Sequence, residues 1–154
     1  MEANKVPLSF AELYRIRFDA MVRLAYVLTS GSPASEELVQ DAFERLHRRW
    51  DTVEEPVSYL RVAVVNACTS WRRRAVLERR WAAGPRVTST AEHQPDGLRE
   101  AIARLPTRQR TAVVLRYYED LPEAEIATIL GCRIPAVKSL LHRALTTLRE
   151  VTER

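Results

Sequence analysis

The last third of the chain limits the possible fold most tightly. Residues 121–148 read as two short amphipathic helices joined by a tight turn. The first, over 122–130, puts Ile126, Ile129 and Leu130 on one face. Gly131-Cys132-Arg133 follows, and Gly131 is free to adopt the left-handed conformation that ends a helix. The second carries Val137, Leu141, Ala144, Leu145 and Leu148 as one apolar stripe. At ~100° per residue, Lys138, Ser139, His142 and Arg143 collect on the opposite face. Two crossed helices of this kind form a helix-turn-helix, whose second helix enters the DNA major groove. A plain helical hairpin with a solvated basic face has the same pattern, so the rest of the chain must decide between them.

The remaining sequence is also written at helical spacing. Glycine is scarce, 4 in 154 residues, and no strand-length apolar/polar alternation occurs, so an all-α fold is expected. Ser9 with Glu12 makes a capping box opening a helix whose apolar side is Phe10, Leu13, Tyr14, Met21, Leu24, Ala25 and Leu28. Gly31-Ser32-Pro33 ends it, with Ser32 as N-cap and Pro33 as first residue of the next helix. That second helix buries Val39, Ala42, Phe43, Leu46 and Trp50, and turns Glu37, Gln40, Asp41 and Glu44 outward. A third starts near Pro56, buries Val57, Leu60, Val64, Cys68 and Trp71, and runs on to about Trp81. Residues 82–97 lose all periodicity and have the Gly, Pro, Ser and Thr content of a flexible linker. Beyond it, Asp96 is positioned to cap a helix bearing Leu98, Ile102 and Leu105, and Pro106-Thr107 opens another that buries Val114, Leu115 and Tyr118. The expected architecture is two small helical domains, 9–81 and 98–152, joined by the linker 82–97.

Charge is distributed unevenly. The net value is only +4, but residues 36–55 hold seven acids against three arginines, while 72–80 hold five arginines against Glu78. One acidic and one basic surface suggest two different macromolecular partners. Along the third helix, Tyr59, Ala63, Asn66, Ser70 and Arg73 lie opposite the apolar stripe. An amide and a hydroxyl can bond base edges, an aromatic can stack on an unpaired base, and arginines can hold phosphates. Taken alone, Asn66 is better read as part of a solvated face. Trp71-Arg72-Arg73-Arg74 favours phosphate contact. The acidic face of the second helix fits a basic protein surface as well as it fits plain solvation.

No enzyme signature is visible. His47, His93 and His142 share no ligand spacing, and Cys68 and Cys132 belong to no CxxC or Cys/His cluster, so no metal site, disulfide framework or cofactor is expected. Residues 1–5 have neither a basic nor an apolar signal region, and no apolar run approaches the ~18 residues of a membrane span. A cytoplasmic protein without membrane contact is expected.

Three strings, in order, resemble the extracytoplasmic-function (ECF) group of the sigma-70 family. Residues 37–43 (ELVQDAF) with Arg48-Arg49-Trp50 are similar to the region that docks on the RNA polymerase clamp. Residues 59–66 (YLRVAVVN), running into Ser70-Trp71-Arg72-Arg73-Arg74, resemble the helix that reads the minus-ten element. Glu125-Ile126-Ala127, Leu130-Gly131-Cys132, Val137-Lys138-Ser139 and Leu141-His142-Arg143-Ala144 resemble the region that reads the minus-thirty-five element. The likeness covers about residues 9–152, and Ser70 to Arg74 is similar to strings in an actinobacterial, sigma-E-like group. It implies a promoter-specificity subunit that recruits core RNA polymerase to promoter DNA, and it makes an anti-sigma factor a plausible further partner. It also implies roles for residues: Glu37, Gln40 and Asp41 on the polymerase; Tyr59, Asn66, Ser70, Arg73 and Arg74 at minus-ten DNA, with Asn66 on a flipped base; Lys138, Ser139, His142 and Arg143 at minus-thirty-five DNA.

The chain departs from that pattern at Leu140, where many members have an arginine. It departs again at Arg133-Ile134-Pro135-Ala136, which replaces a Ser-x-Gly-Thr opening and gives Arg133 a chance of phosphate contact. Pro122 likewise stands where a serine cap is frequent. A stand-alone helix-turn-helix regulator, binding duplex DNA without polymerase, is the alternative reading. A helical adaptor binding only proteins is a third.

Overall fold

In the computed structural model, residues 7–81 and 97–153 are described, and they form seven α-helices with no strand among them. The helices are α1 (Phe10–Leu28), α2 (Ser35–Arg48), α3 (Pro56–Trp81), α4 (Gly97–Arg104), α5 (Thr107–Val113), α6 (Glu123–Leu130) and α7 (Ile134–Thr152). The all-α expectation holds. The chain divides into two compact units, and the division falls between Cys68 and Thr69, inside α3. Most of the linker and Asp96 lie outside the described residues, and Gly97, expected to be its last residue, is the first of α4.

In the first unit, α1 begins as its capping box dictates: the Ser9 hydroxyl accepts from the Glu12 N–H at 3.2 Å. α1 packs on α2 through Leu13, Met21, Leu24, Ala25 and Leu28 against Leu38, Val39, Ala42, Phe43 and Leu46, all buried. Around Phe43 stands a ring cluster. Phe10 meets it edge-on at 6.3 Å, Tyr14 at 4.9 Å, and Trp50 closes on Phe10 at 5.6 Å. Tyr14 is itself exposed, stacked on Phe18, so the expected core role passes partly to its neighbours.

The α1–α2 corner differs from expectation. α1 ends in a Schellman motif with Ser30 in the left-handed region (φ 58) and the Gly31 N–H donated to the Tyr26 carbonyl at 2.8 Å. Ser32 does not cap α2; Ala34 does, and the helix starts at Ser35. The cause is a buried hydroxyl network. The Thr29 hydroxyl donates to the Ala25 carbonyl at 2.8 Å and accepts from the Ser32 N–H at 3.2 Å. The Ser35 hydroxyl donates to the Ser32 carbonyl at 2.7 Å, while the Ser32 hydroxyl is engaged by the Ala34 N–H at 3.0 Å. Pro33 and Ala34 therefore form a turn before the helix.

α3 buries Leu60, Ala63, Val64, Val65 and Cys68, whereas Val57 and Trp71, expected inside, are only half-buried. Ala63 was expected on the open face and is instead in the core.

In the second unit, α7 packs against α4, α5 and α6. α5 passes into a π-helical turn over Val114–Tyr118, closed by Asp120 in the left-handed region (φ 55). The wider turn keeps Val114 and Leu115 inside but rotates Tyr118 out to 50% exposure, against the expectation that it is buried. Leu98 is also exposed, and the inward residues of α4 and its end are Ala101 and Leu105.

Candidate nucleic-acid interface

The helix-turn-helix predicted from the pattern is present. α6 closes with a Schellman motif at Gly131 (φ 64, ψ 39), the Cys132 N–H reaching the Ala127 carbonyl at 3.0 Å. Pro122 occupies the cap position of α6 without a side-chain bond, and Arg133 does the same for α7, as the lost serines imply. Pro135 sits in the first turn of α7. Val137, Leu141, Ala144 and Leu148 are buried, Leu140 and Leu145 half-buried. Consequently Arg133, Lys138, Ser139, His142 and Arg143 are all exposed, the last four along one side of the helix. Lys138 Nζ lies 4.0 Å from Glu123 Oε2 of α6, a partner that the sequence reading did not foresee. Thr146 and Thr147 turn their hydroxyls back onto the His142 and Arg143 carbonyls at 2.9 and 3.1 Å.

Arg110, also unforeseen, ties α5 to the end of α4. Its side chain is buried to 2% exposure and ends α4 by donating from Nε to the Ile102 carbonyl at 3.0 Å, and from Nη2 to the Ala103 and Leu105 carbonyls at 2.6 and 2.8 Å. Those are carbonyls that the end of a helix leaves without partners. The signal was in the sequence: Arg110 shares a helical face with Val113 and Val114, an odd place for a charge unless it is bonded. Burial, with the charge of Arg72 adding to it, pushes the Arg110 guanidinium down to about 10. Arg72 is lowered in turn by burial and by Arg79, so the end of α3 is densely basic.

On α3, Asn66, Ser70, Arg73 and Arg74 are exposed and Tyr59 is half-buried, while buried Ala63 interrupts the face. On α2, Glu37, Gln40 and Asp41 are exposed together, with Glu44 paired to Arg48 at 2.8 Å beside them. Glu36 and Glu37 lie in the first turn of α2, where the helix dipole favours them. No group of His, Cys, Asp or Glu able to hold a metal occurs among the described residues. Burial pushes the Cys68 thiol up to about 12, so it is held as the unreactive thiol. No helix of the described residues is long and apolar enough to cross a membrane.

A small all-α protein with an exposed acidic face, an arginine-rich helix and a helix-turn-helix, in that order, is the class defined so far. Comparison narrows it. Residues 13–77 match the family described as Sigma-70 region 2, and residues 96–148 match Sigma-70, region 4. The chain is 36% identical over 151 residues to the RNA polymerase sigma-E factor of Streptomyces coelicolor, covering 93% of this chain and 85% of that one. It is 30% identical to the ECF RNA polymerase sigma factor SigM of Mycobacterium tuberculosis, over 91% of this chain and 75% of the other. Among solved structures, the sigma factor RpoE in complex with the anti-sigma factor NepR, from Bartonella quintana, is similar with a TM-score of 0.78 at 25% identity, covering 94% of this chain and 96% of that one. The chain belongs to the sigma-70 family, within its ECF group.

Proposed function

We infer that this protein recruits core RNA polymerase to particular promoters and starts transcription there, itself catalysing nothing and working in the cytoplasm where polymerase and chromosome meet. The observation supporting this most strongly is the occurrence of both sigma-70 regions, in order, on one chain. Residues 9–81 serve as the unit that docks on polymerase and captures melted minus-ten bases, 98–152 as the reader of upstream duplex, and 82–97 as the tether. Tethering lets two weak contacts act as one strong one once the minus-ten bases are melted; without polymerase only the upstream contact is made, and the protein alone binds promoter DNA poorly.

Glu37, Gln40 and Asp41 form the polymerase contact. Tyr59, Asn66, Ser70, Arg73 and Arg74 attend the minus-ten strand, with Asn66 on a flipped base. Arg133, Lys138, Ser139, His142 and Arg143 attend the minus-thirty-five duplex, the cations chiefly on phosphates and base edges. Exposure of these side chains, Tyr59 excepted, is what supports the assignments. An anti-sigma factor is a further partner, on the likeness to RpoE, which has been solved with one. A stand-alone regulator would leave the polymerase-family match of residues 13–77 without a use.

The test is run-off transcription from genomic fragments by core polymerase with and without the protein, paired with binding to core. Protein-dependent initiation at defined starts is expected, and Gln40→Ala with Asp41→Ala should weaken binding to core about tenfold. Unchanged affinity for core would refute the acidic-face assignment.

A further inference from the structure

The outer face of α7 begins on carbon rather than on charge. Ile134, Pro135 and Ala136 are each exposed. At ~100° per residue, Pro135 and Ala136 share the open face with Ser139, His142 and Arg143, whereas Ile134 lies over the buried stripe of Val137 and Leu141 and is exposed as the first residue of the helix. The first turn of a helix ordinarily offers free N–H groups to an anion. Here Pro135 has none, and the Ala136 and Val137 N–H groups are already donated to the Arg133 carbonyl at 3.0 and 3.2 Å. Phosphate contact at this end therefore falls to the Arg133 side chain at the cap, and the outer face of the first turn presents methyl and ring carbon. The N-terminal residues of a recognition helix are those that meet base edges. In the major groove the apolar group on a base edge is the thymine 5-methyl.

We propose that Ala136, with Pro135 beside it, reads a thymine 5-methyl group in the upstream promoter element. The inference rests on α7 being the reader of that element. The two side chains exclude water from the methyl and offer no acceptor to an amino group, so cytosine or adenine at that edge loses a hydrogen bond to solvent without replacement. Arg143, His142 and Lys138 supply the polar contacts further along the helix, and the tip adds selectivity for one A·T pair and its orientation.

The test replaces each thymine of a mapped upstream element, on either strand, by deoxyuridine, which deletes the methyl and alters nothing in the protein. At one or two positions initiation by the reconstituted holoenzyme should fall about fourfold, the worth of one buried methyl-sized carbon. With an Ala136→Ser holoenzyme, thymine and uracil templates should perform equally; with Arg143→Ala both should weaken at an unchanged ratio. Uracil performing as well as thymine at every position overturns the proposal, as does a thymine preference that survives the serine change. Should Arg143→Ala and a scrambled upstream element both leave initiation intact, α7 is no reader at all and the proposed function of 98–152 fails with it.

Discussion

α3 and α7 are the two helices assigned to DNA, and they were built under different constraints. α7 has partners on one side only, so its buried residues fall within a narrow stripe and the side chains opposite are exposed, with Lys138 near Glu123 of α6. The buried residues of α3 instead spread over an arc of about 200° between Leu60 and Cys68 at ~100° per residue, and none of its residues from 69 to 81 is buried. α7 can therefore present a continuous reading face on a rigid, fully packed helix. α3 has only the gap left by its packing, centred on Asn66, followed by an exposed basic end. A surface for tracking regular duplex suits the first arrangement, and a few fixed contacts to bases already out of the stack suit the second.

The largest effect separating the regions is expected at Arg110. Arg110→Met removes three hydrogen bonds from the end of α4 and strands their carbonyls, which should cost the second unit about 3 kcal/mol. Calorimetry of the full chain should show one transition lowered and the other in place; a coincident fall of both would mean that the units do not melt separately.

Next comes Ala63, where the wide arc of α3 can be broken directly. Burying an amide there without a partner should cost about 2 kcal/mol, so Ala63→Asn should lower the denaturant midpoint of the first unit while the same change at exposed Ala136 scarcely moves the second. Equal, small effects would restore Ala63 to the open face.

The smallest effects lie in the left-handed residues around α6. Nothing stands within 4 Å of a Cβ added at Gly131, so Gly131→Ala should cost only the backbone strain, about 1 kcal/mol. Asp120→Gly relieves the same strain at φ 55 and gives up just an exposed 3.9 Å contact with Arg116. It should raise the thermal midpoint slightly.

The same contrast explains what could be read in advance. Where one face packs and the other does not, periodicity suffices: the buried stripe of α7, half-buried Leu145 apart, the Gly131 turn and the Ser9 cap are as expected. The exposure of every proposed contact on α2 and α7 followed from that. Periodicity misplaced Ala63, because a helix covered over a wide arc has no single stripe, and it overestimated Val57 and Trp71, which lie within that arc but beyond its first and last buried residues, Leu60 and Cys68. It misplaced Tyr118 because one π-helical turn shifts all later residues, and nothing in Val114 to Tyr118 announces it. The start of α2 moved because the hydroxyls of Thr29 and Ser35 bond the backbone N–H and carbonyl of Ser32 across a corner, an arrangement that a capping rule does not contain. Arg110 belongs to no motif, and only the apolar residues sharing its helical face mark it as interior.

The central claim, two readers engaging different states of the promoter, is tested most directly by measuring complex formation and strand opening separately. Asn66→Ala and Arg143→Ala holoenzymes would be compared on one promoter, by closed-complex binding at low temperature and by permanganate reactivity of melted thymines. Asn66→Ala should bind normally and open poorly, and Arg143→Ala should bind poorly while the complexes that form open normally. Loss of the same step in both variants would contradict the account.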